Sequence, residues 1–111
     1  MHCNSSYPTP KNELNLRVIE TLKNRYDCPI GYSGHEEDLE ATVIAVSMGA
    51  KVIERHITLS HDMWGTDQKS SLEVMGMDML RKRCMQVNEI LGTAEKVVTK
   101  SEIEIRKKLR R

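Results

Sequence analysis

His35, at the end of Ile30-Gly31-Tyr32-Ser33-Gly34, and His56, at the end of Val52-Ile53-Glu54-Arg55, stand 21 positions apart, and each closes a short apolar run. Imidazole binds manganese and other first-row divalent ions. Adjacent β-strands lie about 4.8 Å apart, so histidines at the ends of neighbouring parallel strands can share one ion. Glu54 precedes His56 by two residues and faces the same side of its strand, because side chains alternate with a period of two. It is the candidate catalytic carboxylate. One strand-end histidine alone is more often a satisfied structural group; the pair carries the metal reading. His2 has only Met1 before it and is expected to be a buried hydrogen-bonding group beneath the site. His61 is expected to be exposed in a loop, and Cys3, with no base placed to activate it, to pack.

Three units of like design must position these residues. Residues 1–4 read as the end of a strand, and Pro8 and Pro10 then enforce a loop. Leu14, Val18 and Leu22 follow i, i+4 spacing within a helix expected from Glu13 to Tyr26, with Asn12 as N-cap. A strand is expected from Pro29 to Tyr32. Asp38 is the expected cap of a helix carrying Leu39, Val43 and Val46, which Gly49 ends in the C′ role. Lys51 to Ile57 repeats the strand. A long loop from Thr58 to Ser71 follows, of the length that is usually functional or disordered, and its lone Trp64 favours order. A third helix runs from Val74 to Leu91 and stops at Gly92, with Met75, Met77, Met79 and Met85 expected in core and helix-face packing. Strands alternating with helices predict a parallel sheet with right-handed crossovers.

In such β/α architecture the active site lies at the carboxyl ends of the strands. A complete eight-stranded barrel takes roughly 250 residues, whereas this chain has 111, so a partial barrel lacking its amino-terminal majority is expected. The formal charge is +1, yet residues 96–111 hold seven Lys or Arg against two Glu. The basic character is therefore confined to the tail, which is expected to form a solvated helix. Glu102 and Glu104 interrupt it and no aromatics are interleaved, which argues against nucleic-acid binding. Three cysteines without metal-type spacing and no signal-like start fit a reducing cytoplasm. No apolar run approaches the roughly 20 residues that cross a bilayer.

His2-Cys3-Asn4-Ser5-Ser6-Tyr7-Pro8-Thr9-Pro10, Gly31-Tyr32-Ser33-Gly34-His35, Glu54-Arg55-His56-Ile57-Thr58 and Gly65-Thr66-Asp67 with Ser71-Leu72-Glu73 together resemble the sialic acid synthase (N-acetylneuraminate synthase, NeuB-like) family. Order and spacing match from His2 to about Arg111. The resemblance implies that residues 1–95 are the last three β/α units of a (β/α)8 TIM barrel. Residues 96–111 would be the charged linker to an antifreeze-like domain that is absent here. It also implies a transferase that condenses phosphoenolpyruvate with an N-acylhexosamine such as N-acetylmannosamine, giving a nine-carbon 2-keto acid and phosphate with Mn2+ or Mg2+.

By motif match, His35 and His56 would hold the metal, Ser5 and Ser33 would contact phosphoenolpyruvate, and Tyr7 and Asp67 would hold the amino sugar. The bland alternatives are that Tyr7 packs on the loop and Asp67 caps it. The chain departs from the family's usual residues at Ser5, at Gly34 and Glu36 (commonly Ser-Asp-His-Thr across 33–36), and across Trp64 to Gln68. These departures bear on the sugar more than on the metal. The rival expectation is a truncated remnant, inactive unless it binds a partner such as the missing barrel portion or a second copy.

Overall fold

The computed structural model describes residues 1–110; Arg111, the last residue of the expected basic tail, lies outside the described residues. Strands β1 (His2–Cys3), β2 (Gly31–Gly34) and β3 (Val52–Arg55) form one sheet in that order, and both pairings are parallel, as the strand-helix alternation predicts. Helix α1 (Val18–Arg25) connects β1 to β2, and α2 (Glu40–Ser47) connects β2 to β3. Helices α3 (Val74–Leu91) and α4 (Lys100–Leu109) follow. No helix among the described residues is long and apolar enough to cross a membrane.

Strand alternation divides the sheet into two chemically different faces. Tyr32 and Ile53 point towards the helices, where Ile19 of α1 and Ala45 of α2 close a core with Ile30 and Ala50. Tyr32, Ile19 and Ala45 are almost completely buried. The other face carries Cys3, Ser33 and Glu54 side by side in register, and on its outer strands Cys3, Val52 and Glu54 are exposed. Parallel sheets are ordinarily covered on both faces; here one face is packed and the other is open at its flanks.

Several local expectations are corrected. Helix α1 starts at Val18 rather than Glu13, because Asn15 adopts φ 45° and breaks the helical path; Asn tolerates the left-handed region better than most residues. Asn12 therefore lies in a short 3-10 turn and caps nothing. Asp38 does not cap α2, since the cap position is Leu39 without a side-chain bond; its carboxylate pairs instead with Lys11 at 2.6 Å. The buried face of α2 is Ala41, Thr42 and Ala45, with Leu39, Val43 and Val46 half-buried. Strand β2 lies two residues later than expected. The methionine expectation also fails: Met75, Met79 and Met85 are exposed and Met77 is half-buried. Residues two apart cannot share a helix face, and α3 instead buries Leu80 and Val87. Gly49 (φ 98°) and Gly92 (φ 59°) do end α2 and α3 in conformations that glycine adopts most readily.

The tail forms the expected exposed helix, and α4 starts on a capping box. The Thr99 N–H and hydroxyl both donate to Glu102 Oε2 at 2.8 Å. The Thr99 N–H, then its hydroxyl, hold the Glu102 carboxyl below its ordinary range. A depressed carboxyl contributes order above its unfolded value and loses it as pH falls through the folded one. Helical chemical shifts over residues 100–109 are accordingly expected to weaken on acidification through the carboxylate range, and to be weak already at neutral pH in Thr99→Ala. Unchanged shifts in both experiments would show that the box does not start this helix.

Candidate functional site

The open sheet face leads into the histidine pair. Ser33 and Glu54 are register partners, and Ser33 Oγ donates to Glu54 Oε1 at 2.7 Å. One residue beyond the carboxyl end of each strand stand His35 and His56. Their ring centroids are 5.2 Å apart with planes at 89°. The Glu54 carboxylate is thus fixed by a neighbouring hydroxyl.

His35 is held tightly. It is buried, and its Nδ1 lies 2.6 Å from the Asn4 carbonyl oxygen. A carbonyl only accepts, so Nδ1 carries the proton and the lone pair resides on Nε2. This is the arrangement by which an outer partner fixes the tautomer and orientation of a ligating histidine. The Thr9 N–H donates to the His35 carbonyl at 3.0 Å, and the Thr9 hydroxyl donates to Ser6 O at 2.9 Å, so the loop after β1 docks on the residue it must orient. Tyr7 stacks on His35 at 4.1 Å and meets His56 edge-on at 5.5 Å. The three rings form one cluster.

His56 is more open. Its Nδ1 lies 3.8 Å from Asp67 Oδ2, beyond direct hydrogen bonding. The Thr66 hydroxyl donates to Asp67 Oδ1, while the Asp67 carbonyl accepts from the Ser70 and Ser71 hydroxyls. The Asp67 side chain makes no cap bond; it faces His56. Gln68 bonds to the Thr58 hydroxyl and holds the loop against the end of β3. Trp64 is 98% exposed, so it orders nothing by burial. Ser5 is exposed in the loop after β1. Of the expected residues, the structure therefore brings Tyr7, Ser33, His35, Glu54, His56 and Asp67 to one end of the sheet and gives Ser5 no side-chain partner among the described residues.

Two histidines stay outside this cluster. His2 is half-buried, and its Nε2 lies 2.6 Å from Leu14 O. His61 is exposed, as expected, and its Nε2 lies 2.8 Å from Ser71 O. Cys3 is exposed on the open face rather than packed. No group of three or more His, Cys, Asp or Glu suited to a metal ion occurs among the described residues. The His35–His56 pair still fits a divalent ion by its chemistry, with a free Nε2 on an oriented His35 and a second imidazole beside it. Water or substrate oxygens would complete the coordination.

Sequence reasoning missed the supports of the site. Asn4 and Thr9 meet His35 through their backbone carbonyl and N–H, groups that leave no side-chain signature. Glu36 and Arg55 form an ion pair at 3.1 Å whose side chains are 2% and 1% exposed. Tyr32 donates to Glu36 Oε2 at 2.8 Å, and its hydroxyl is pushed well above the ordinary phenol range, chiefly by burial and then by the Glu36 carboxylate. The available signal was adjacency: each member of the pair sits next to one of the two histidines.

A parallel α/β unit with paired imidazoles, a carboxylate and a hydroxyl at the carboxyl ends of its strands has the form of an enzyme's site-bearing wall. Comparison with known proteins makes this specific: the NeuB family profile matches residues 1–96, and the chain belongs to that family. It is 39% identical over 102 residues to the N,N'-diacetyllegionaminic acid synthase of Campylobacter jejuni, covering 92% of this chain and 30% of that one. It is 40% identical over 110 residues to the human N-acetylneuraminate-9-phosphate synthase, covering 98% and 31%. The solved N-acetylneuraminic acid (sialic acid) synthetase of Leptospira borgpetersenii, in complex with citrate, superposes with a TM-score of 0.79 at 38% identity, over 98% of this chain and 39% of that one. The chain thus spans about a third of the length of the curated relatives it matches.

Proposed function

We propose that this chain forms the carboxyl-terminal three β/α units of a TIM-barrel synthase that condenses phosphoenolpyruvate with an N-acylhexosamine, releasing phosphate and a nonulosonic acid. The observation that carries the reading is the perpendicular His35–His56 pair set directly beyond the Ser33–Glu54 bond. The names of the relatives, synthases of legionaminic and N-acetylneuraminic acid compounds, supply the reaction class. His35 and His56 would hold Mn2+ or Mg2+. A bound divalent ion supplies Lewis acidity for polarising the sugar's aldehyde oxygen.

The chain's own residues do the rest. Glu54, fixed by the Ser33 hydroxyl, holds or receives a proton at the reacting end of the substrates; the hydroxyl of exposed Ser5 would donate to an anionic oxygen of phosphoenolpyruvate, and that of Ser33 would do so on exchanging its Glu54 bond for the substrate. Tyr7 and Asp67 flank the histidines and hydrogen-bond sugar hydroxyls. Both substrates are small cytoplasmic metabolites in this reading, and residues 96–111 form a linker.

A second reading concerns competence. The outer strands β1 and β3 each have one unpaired edge, and Val52, Ile57, Leu59 and Trp64 are exposed around the site. Open edges and apolar surface favour further pairing, which supports catalysis only after the remaining strands, on a longer chain or a separate fragment, complete the barrel. The test is phosphate release from phosphoenolpyruvate and N-acetylmannosamine with Mn2+, for this chain alone and mixed with the amino-terminal barrel portion of a related synthase. Activity is expected only on mixing. A folded mixture that releases no phosphate with this sugar, nor with diacetylated analogues, would reject the synthase reading.

A further inference from the structure

His35 and His56 both lie one residue beyond the last ladder position of their strands, since β2 ends at Gly34 and β3 at Arg55. Sheet pairing alone does not set their separation. Directly behind them, on the helix-facing side, Arg55 crosses from β3 to the loop after β2. Its Nη1 donates to Glu36 Oε1 at 3.1 Å and to Asp38 O at 3.0 Å, and its Nη2 donates to Glu36 O at 2.5 Å. The Thr42 hydroxyl secures the same Glu36 oxygen from α2 at 2.9 Å. The planar fork of a guanidinium can reach a carboxylate and two carbonyls at once; a lysine has no such fixed geometry.

Two details indicate that this arrangement serves orientation rather than stability. Arg55 Nε is buried with no partner among the described residues, and a buried ion pair is in general no more stabilising than apolar residues of like volume. In addition, a Cβ on Gly34 would lie 2.5 Å and 2.8 Å from the two Glu36 carboxylate oxygens. Glycine at 34 thus makes room for the carboxylate at 36. Gly34 and Glu36 are thus sterically coupled, with His35 between them.

We infer that Gly34, Glu36 and Arg55 form a positioning clamp that fixes the mutual geometry of His35 and His56, an inference that rests on those histidines being the cation's ligands. The clamp does not touch the ion. Its directional bonds tie the residue after one ligand to the residue before the other.

The test is Mn2+ affinity of the full chain, read by electron paramagnetic resonance of the free ion, with thermal unfolding followed in parallel. Glu36→Gln, which keeps the shape and most of the hydrogen bonds, is expected to bind within about threefold of the unmodified chain. Gly34→Ala, which displaces the carboxylate, and the volume-conserving pair Glu36→Leu with Arg55→Met are expected to weaken binding by roughly tenfold or more, the size typical of lost outer supports. That loss is expected in folded protein, which separates positioning from mere stability. If the double variant fails to fold, Gly34→Ala alone decides. Should the folded variants bind as the unmodified chain does while His35→Ala abolishes binding, the clamp is overturned and the ligand assignment stands. Absence of binding in the unmodified chain, or full binding by His35→Ala, overturns both.

Discussion

Alanine at His35 is expected to lower Mn2+ affinity by more than about 100-fold, since loss of an outer-shell partner alone typically costs about 10–100-fold and a direct ligand costs more. His56→Ala is expected to do the same. The two substitutions should differ in their side effects. His35 is buried, stacked on Tyr7 and bonded to the loop after β1, so its removal also frees that loop. His56 is half-buried and makes no side-chain hydrogen bond to that loop; besides the edge contacts with Tyr7 and His35, it has a 3.8 Å approach from Asp67. Amide exchange in residues 4–9 should therefore quicken in His35→Ala and stay unchanged in His56→Ala, although both lose the ion. Calorimetric titration with Mn2+ checks the first statement and exchange checks the second. Undiminished affinity in either variant would remove that histidine from the proposed ligand set.

The parts of the molecule that were legible in the sequence are those governed by alternation and by motif. The parallel sheet follows from strands alternating with helices, and the side expected for Glu54 from period-two patterning. The histidine pair follows from two motifs in register. The parts that were not legible depend on contacts between distant segments. Asn12 and Asp38 have the composition of caps, but the positive φ of Asn15 delays the helix to Val18, and the Asp38 carboxylate is taken by Lys11. The methionines of α3 mislead because Met75 and Met79, four apart and so on one face, lie on the exposed side of the helix.

Glu36 shows the limit most clearly. In the sequence it is only the residue that follows His35. Its meaning depends on Arg55, 19 positions away, arriving beside it through parallel pairing. Gly34 reads as a plain strand glycine until the carboxylate that fills the space beside it is seen. Local patterning predicts which face a residue takes, whereas its partner across the sheet is a property of the fold.

Arg55→Ala is expected to destabilise the chain by about 3–5 kcal/mol, the range for removing one member of a buried ion pair. The mechanism is the charge left behind: Glu36 would stay enclosed by Tyr32, Thr42 and the Gly34 backbone with its cation gone. The carbonyls of Glu36 and Asp38 would lose their donors as well. Against a typical domain stability of roughly 5–15 kcal/mol, such a loss leaves a small unit near its unfolding threshold. Urea unfolding followed by circular dichroism measures the effect. Glu36→Leu combined with Arg55→Met should recover most of the deficit, because no uncompensated charge remains. A loss below about 1 kcal/mol in Arg55→Ala would mean that water reaches the Glu36 carboxylate. The link between the two histidine-bearing strand ends would then rest on sheet pairing, and the ion pair would not be the feature that holds the site together.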